Sequence, residues 1–197
     1  MAFKQPFTTG SESITTFDFT ERITGLGVQK YYLYQSKDVS TISYSLTETI
    51  LQSQVATLDL AGVSPSTVSF DFDTPIFQIA QTTSGSARFT FDWAFTEGQA
   101  GQNAQGKIYI RHWDGTTETD LGSAQTKQGL GSSGDTESMV IPLTKKHFAV
   151  GDILRVTVEV TYTGTAGAPN GAFVVGTNPE ATDGDLTTLY MPWETID

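Results

Sequence analysis

The chain has no cysteine among its 197 residues, which excludes disulfides and thiolate metal sites and removes any redox marker of compartment. Charge is also sparse, at 17% of residues against a usual share of about 25%. Basic residues are the scarcer kind, 11 Lys and Arg against 22 Asp and Glu. With a net charge of −11 there is no basic patch to neutralise phosphates, so nucleic acid is not an expected partner. The acidity reads as solubility and mutual repulsion of free subunits, with an acidic outer face meeting a basic partner as the alternative. No apolar run is long enough to cross a bilayer, and the opening MAFKQPFTTG lacks the apolar stretch of a signal peptide. The expectation is a chain made in the cytoplasm with no membrane partner; an export route without such a signal stays open.

Chemistry-bearing constellations are missing as well. A Ser-His-acid triad needs a histidine beside a serine, and only His112 and His147 exist. Gly131-Ser132-Ser133-Gly134 lacks the spacing of a nucleophile elbow, and no P-loop pattern occurs. Both histidines read as surface or half-buried residues. Two histidines far apart with no thiols do not make a zinc site. Asp183 and Asp185, with Asn178 and Glu180 near them, form the one dense acidic-amide cluster. It offers weak scope for calcium and lacks the EF-hand spacing. Asp71 and Asp73 alternate on one strand and read as a solvated face. Asp92 and Glu159 could line an outer groove as a glycosidase pair, but any sandwich rich in acids offers such a pair. The expectation is therefore no cofactor and no enzyme.

What the chain does have is alternation. In residues 147–164, HFAVGDILRVTVEVTYTG, the Gly151-Asp152 pair makes a turn. After it Leu154, Val156, Val158, Val160 and Tyr162 point one way and Arg155, Thr157, Glu159, Thr161 and Thr163 the other. That is a period of two, the mark of a strand rather than a helix. A strand this long with one oily face needs a second layer against it. Further alternating segments are ITTFDFT (14–20), KYYLYQ (30–35), TVSFDFD (67–73), PIFQIA (75–80), ARFTFDWAFT (87–96), KIYIRHW (107–113) and ESMVIPL stopped at Pro142. Residues 40–60 read as two strands, with a short helix from Thr47 as the alternative. Asp114-Gly115 signals a tight hairpin into TTETDLG. Ser84-Gly85 reads as a turn, and residues 122–138 as a Gly/Ser-rich exposed loop. GAFVV and LTTLYMPWETID supply the last strands.

Nine or ten strands joined by unequal loops predict an all-β fold, a jelly-roll-type antiparallel β-sandwich. It would span residues 14–197 as one domain behind an extended N-terminal arm, residues 1–13. Phe3 and Phe7 in that arm either dock on a neighbour or fold back on their own domain. In KIYIRHW, Ile108 and Ile110 turned inward leave Tyr109, Arg111 and Trp113 outward together. Such a trio is an interface anchor or a platform for stacking sugars. Trp93 and Trp193 read as core.

The ending combines FAVGDILRVTVEV (148–160), Asn178-Pro179 and LTTLYMPWETID (186–197). In that pattern the chain resembles the C-terminal half of jelly-roll virion proteins of tailed phages and related viruses, including capsid decoration (cement) and appendage proteins. Asn178-Pro179 stands where the family often has Asp-Pro, and Pro192-Trp193 where it has Pro-Phe. The resemblance implies a non-enzymatic structural protein, commonly a homotrimer, attached to a viral capsid or tail, and it implies no catalytic residue. The sequence thus points to a virion decoration protein holding the shell through subunit contacts at Phe3, Phe7, Tyr109, Arg111 and Trp113. A carbohydrate-binding module or the receptor-binding head of a fibre, with a glycan as ligand, is the alternative.

Overall fold

The structure is a computed structural model that describes residues 27–38, 41–51, 58–60, 66–93, 103–130, 135–163, 171–173 and 187–194. The expected arm with Phe3 and Phe7, the strand at 14–20, the Gly131–Gly134 run and the Asp183/Asp185 cluster all lie outside these residues.

The described residues form twelve strands and no helix. In chain order they are β1 (Gly27–Asp38), β2 (Thr41–Thr47), β3 (Leu58–Leu60), β4 (Ser66–Asp73), β5 (Gln81–Trp93) and β6 (Asn103–Trp113). Then come β7 (Glu118–Asp120), β8 (Gln125–Leu130), β9 (Asp135–Phe148), β10 (Ile153–Thr163), β11 (Gly171–Phe173) and β12 (Thr188–Glu194). One curled sheet runs β7-β6-β10-β4-β2-β1-β12-β5-β9, with β8 also on β6, while β11 pairs with β3 separately. All its pairings are antiparallel except the single β2–β4 contact at Ser45 and Asp73, which is parallel. There the sheet turns from one layer to the other, giving the all-β, jelly-roll-type sandwich that the alternation predicts.

The oily faces meet inside. From the β6-β10-β4 layer come Ile108, Ile110, Leu154, Val156, Val158, Val160, Phe70 and Phe72. From the β1-β12-β5-β9 layer come Tyr31, Leu33, Leu189, Met191, Phe89, Phe91, Ile141 and Phe148. Phe72, Phe89, Phe148 and Leu154 are fully buried, and truncating one of these phenylalanines to Ala costs about 3–5 kcal/mol. Aromatic contacts stitch the layers at one end. Phe148 packs edge-on against Phe77, Trp193 and His112, with centroids 5.4, 5.2 and 4.7 Å apart.

The two free ends of the sheet also meet. Leu121, just beyond β7, donates its N–H to Ile110 of β6, and its carbonyl accepts the Thr144 N–H of β9. Lys127 on β8 reaches Glu137 on β9 at 2.8 Å. These links cover part of the outer edge of β9, an edge that would otherwise invite pairing with another strand.

Several sequence expectations change. Residues 122–138 are not one loop, because β8 pairs with β6 there and β9 already starts at Asp135. Pro142 does not stop β9: among the described residues that strand pairs only with β5, so the missing Pro142 N–H breaks no second ladder there. Gly85 is no reversal but a bulge inside β5, at φ 89°, where the register to β9 shifts. PIFQIA is not a strand; Phe77 alone turns inward and exchanges hydrogen bonds with Asp152 and Gly151. The two-strand reading of residues 40–60 holds for β2 and β3. Gly151 at φ 98° and Gly115 at φ 93° occupy the turns assigned to them.

Gly122 is the residue that lets the closure form. A Cβ built there would stand 2.2 Å from the Pro142 carbonyl oxygen, a backbone atom of the facing strand. Gly122→Ala is therefore expected to destabilise the fold by about 1–3 kcal/mol. Thermal unfolding checks this, with a fall of roughly 2–4 °C per kcal/mol for a chain of this size.

Candidate functional site

Alternation along β6 fixes its two faces. Ile108 and Ile110 are buried, while Tyr109, Arg111 and Trp113 stand half-buried on the outside. β10 lies between β6 and β4, so its outward residues sit beside theirs. Arg155 is opposite both Arg111 and Asp73, and Thr157 is opposite both Tyr109 and Asp71. The register thus sets two guanidinium groups side by side, an arrangement that repels unless acids offset it.

Four carboxylates do so. Arg155 donates to both oxygens of Asp73 at 2.7 Å and comes within 3.5 Å of Glu118. Arg111 donates to Asp120 at 2.8 Å, to Glu118 at 3.3 Å and to the Thr157 hydroxyl at 3.0 Å. The Thr157 hydroxyl in turn donates a hydrogen bond to Asp71 at 2.5 Å. The fork-to-fork Arg155–Asp73 pair is the strongest link by geometry. That hydrogen bond, working against partial burial, raises the Arg155 pKa still further above its ordinary value. Asp71 and Asp73 are therefore ion-pair partners of Arg155 rather than a merely solvated face.

The aromatic rings are capped by these cations. The Arg111 guanidinium lies 4.2 Å from the Tyr109 ring centroid and Lys107 4.8 Å from it; Arg155 lies 5.2 Å from that of Trp113. A sugar platform needs a bare ring face, so the capping counts against Trp113 as a stacking surface. The face is a pre-paired lattice of two arginines, four acids and two rings.

His112 departs from expectation. It is buried rather than surface or half-buried, and its Nε2–H donates to the Asp152 carboxylate at 2.6 Å. The alternation was enough to find it, since position 112 shares a face with Ile108 and Ile110. Asp152 also accepts the Ala149 N–H at 2.7 Å, which ties the β9–β10 turn to β6. Burial works to raise the Asp152 pKa, but the bonds from His112 and Ala149 outweigh it and hold it below the ordinary aspartate value. His112 Nδ1 has no hydrogen-bond partner among the described residues and is enclosed, so the pair acts as a staple rather than an accessible acid–base dyad. His147 lies apart, near the Thr82 hydroxyl at 3.3 Å. Glu159 is on β10 and Asp92 on β5, strands of opposite layers, so the glycosidase pair is not brought together. Trp193 is in the core, as expected. Among the described residues no three His, Asp or Glu side chains gather as a metal site.

No family model matches the chain, and no curated protein matches it. Solved structures do. An aminopeptidase from the marine sediment archaeon Thaumarchaeota archaeon superposes with a TM-score of 0.58 at 12% identity, over 84% of this chain and 37% of that one. An α-amino acid ester hydrolase superposes at 0.53 with 11% identity, over 84% and 34%. The chain thus spans about a third of the length of these hydrolases. A structure of infectious bursal disease virus, Gx strain, aligns at a TM-score of only 0.24 with 15% identity, over 82% of this chain and 40% of that one, and carries no argument. The expectation that this chain stands outside the enzymes is thereby corrected, because its β architecture is that found within hydrolases. At such identity the likeness is one of fold, and fold alone names no activity.

Removing the Asp152 charge tests the staple. Asp152→Asn is expected to cost about 1–3 kcal/mol at pH 7, as a buried charged hydrogen bond is lost. A carboxylate whose pKa is lower folded than unfolded adds stability above its unfolded value and loses it as pH falls through its folded value. The gap between wild type and variant in urea midpoints should therefore be full at pH 7 and close progressively below about pH 4.

Proposed function

We propose that this chain is a contact module, a closed jelly-roll sandwich that docks through the outer face of β6, β10 and β4 onto a larger protein body. The observation that supports it is the ordered lattice of Arg111, Arg155, Thr157 and their acids around Tyr109 and Trp113. Side chains already held in place lose little freedom on docking. Arg and Trp beside one another are the residue types that anchor protein interfaces. The ending of the sequence favours a virion as the setting, with the chain as a decoration or cement protein working as a homotrimer. Phe3 and Phe7 of the arm would add to the contact.

A second setting has its own support. The chain superposes on about a third of each hydrolase, so it can stand as the β portion of a hydrolase assembly, its outer face turned to the part that the chain does not match.

Light scattering on the full chain separates the two. A trimer that dissociates on Trp113→Ala, weakened by about 2 kcal/mol or thirtyfold, is the expected result. Removal of residues 1–13 should weaken it further. A monomer unaffected by Trp113→Ala, with turnover of an α-amino acid ester by the full chain, would replace the virion setting with the hydrolase one.

A further inference from the structure

The end of the sandwich where β4 leads into β5 and β9 into β10 is apolar. Among the described residues seven large aliphatic side chains are exposed, and six of them lie at this end: Val28, Ile50, Leu51, Ile76, Ile79 and Val150. Topology brings them there. β2 and β4 run parallel at Ser45 and Asp73, so Ile50 and Leu51 leave β2 toward the end at which Ile76 leaves β4. The β4–β5 connection and the β9–β10 turn are stitched together, because Phe77 donates its N–H to the Asp152 carbonyl and its own carbonyl accepts the Gly151 N–H, both at 2.9 Å. Ile76 and Ile79 are thereby held next to Val150; Ile79 is 67% exposed and Val150 64%. Phe77 itself turns inward onto Trp193, with ring centroids 5.4 Å apart. Trp193 is the register partner of Gly27, where β1 begins, and Val28 follows. Single exposed aliphatics need no explanation, but six at one end make a patch that calls for cover.

The chain enters β1 at this same end. Residues 1–26 lie outside the described residues, and within them ITTFDFT (14–20) carries Phe17 and Phe19 two positions apart. In an extended segment that spacing puts both rings on one side and Asp18 on the other. Phe19 stands eight positions before Gly27, a tether of at most roughly 29 Å. The β1–β2 turn is at the other end of a twelve-residue strand, about 36 Å away and beyond that reach. So short a tether holds the rings beside the patch at an effective concentration on the order of millimolar, which a second copy or another protein would have to match. QSQVAT, the segment that leaves this end after Leu51, is mostly polar. A net charge of −11 opposes the approach of the patch to an anionic bilayer.

We propose that Phe17 and Phe19 of the same chain cover this patch, packing on Ile79 and Val150 with Asp18 turned to solvent. Burying the two rings against aliphatic side chains removes apolar area from water on both sides of the contact. The segment then works as a clip that fixes where residues 1–13 leave the sandwich. Phe3 and Phe7 stay free for the contact proposed above. The outer face of β6, β10 and β4 takes no part in the clip, so either proposal can fail alone.

The chain has no cysteine, so two introduced ones define a unique pair. Thr20→Cys with Gln78→Cys in the full chain keeps every apolar residue of the contact, and Gln78 is exposed between Phe77 and Ile79. Thr20→Cys with Ser86→Cys is the reference. Ser86 is exposed on β5, three residues past Thr83, the partner of Trp193, and within the same reach. With a short bis-maleimide the Gln78 pair should cross-link within one chain about tenfold faster than the Ser86 pair. Phe17→Ser with Phe19→Ser should remove that difference. Ile79→Ser should lower the midpoint of thermal unfolding by about 2–4 °C, and should leave it unchanged where both phenylalanines are already serine. A cooperative transition shows that each variant is folded. Equal rates for the two pairs, or an effect of Ile79→Ser that does not depend on the phenylalanines, would overturn the proposal. So would cross-links formed only between chains, which would assign the patch to a second copy.

Discussion

A wide sheet with one oily face has to be covered, and this sheet covers itself. That constraint comes from area. Strands β5, β6, β9 and β10 each run eleven residues or more, and apolar side chains alternate over part of each. Each buried aromatic or branched residue contributes on the order of 1.5–3 kcal/mol only when its partner layer is in place. The β2–β4 turn of the sheet brings the layers together, and Leu121 with Gly122 seals the far side. Everything polar then falls to the outside or to the few buried positions with a partner, of which His112 with Asp152 is the clearest.

The exterior is consequently where the two layers differ. On β6, β10 and β4 the charges satisfy one another, and the rings lie beneath guanidinium groups. On β1, β12 and β5 the tyrosines accompany cations that have no acid among the described residues. The first face sets two arginines among four acids, and on the second Lys30 lies between the Tyr32 and Tyr190 rings. The same architecture occurs inside hydrolases, and fold alone names no activity.

Much of the architecture was legible because alternation is local. Leu154, Val156, Val158 and Val160 announce their face within one strand, and Ile108 with Ile110 fixes the outward side of Tyr109, Arg111 and Trp113. The turns at Gly115 and Gly151 were legible for the same reason, a short-range demand for positive φ. Pairing across the sheet was not. Arg155 meets Asp73 across 82 positions of chain, and only the register of β10 on β4 decides that they touch. The capping of Trp113 and Tyr109 follows from that register too, so no pattern within β6 could show it. β8 escaped notice because QTKQGL has no apolar alternation; its place comes from the ladder with β6. β9 continues past Pro142 because among the described residues it has a strand neighbour on one side only, a fact of topology rather than of sequence.

Native-state hydrogen exchange tests self-coverage most directly. Amides of β10 are sandwiched between β6 and β4 and sit above the buried cluster, so Val156 and Val158 should exchange only through global unfolding. Their exchange free energies should then equal the stability measured by denaturant, and Thr144, bonded to Leu121 at the seam, should be protected as well. Exchange of Val156 and Val158 through local opening, far below the global value, would contradict a sheet closed upon itself.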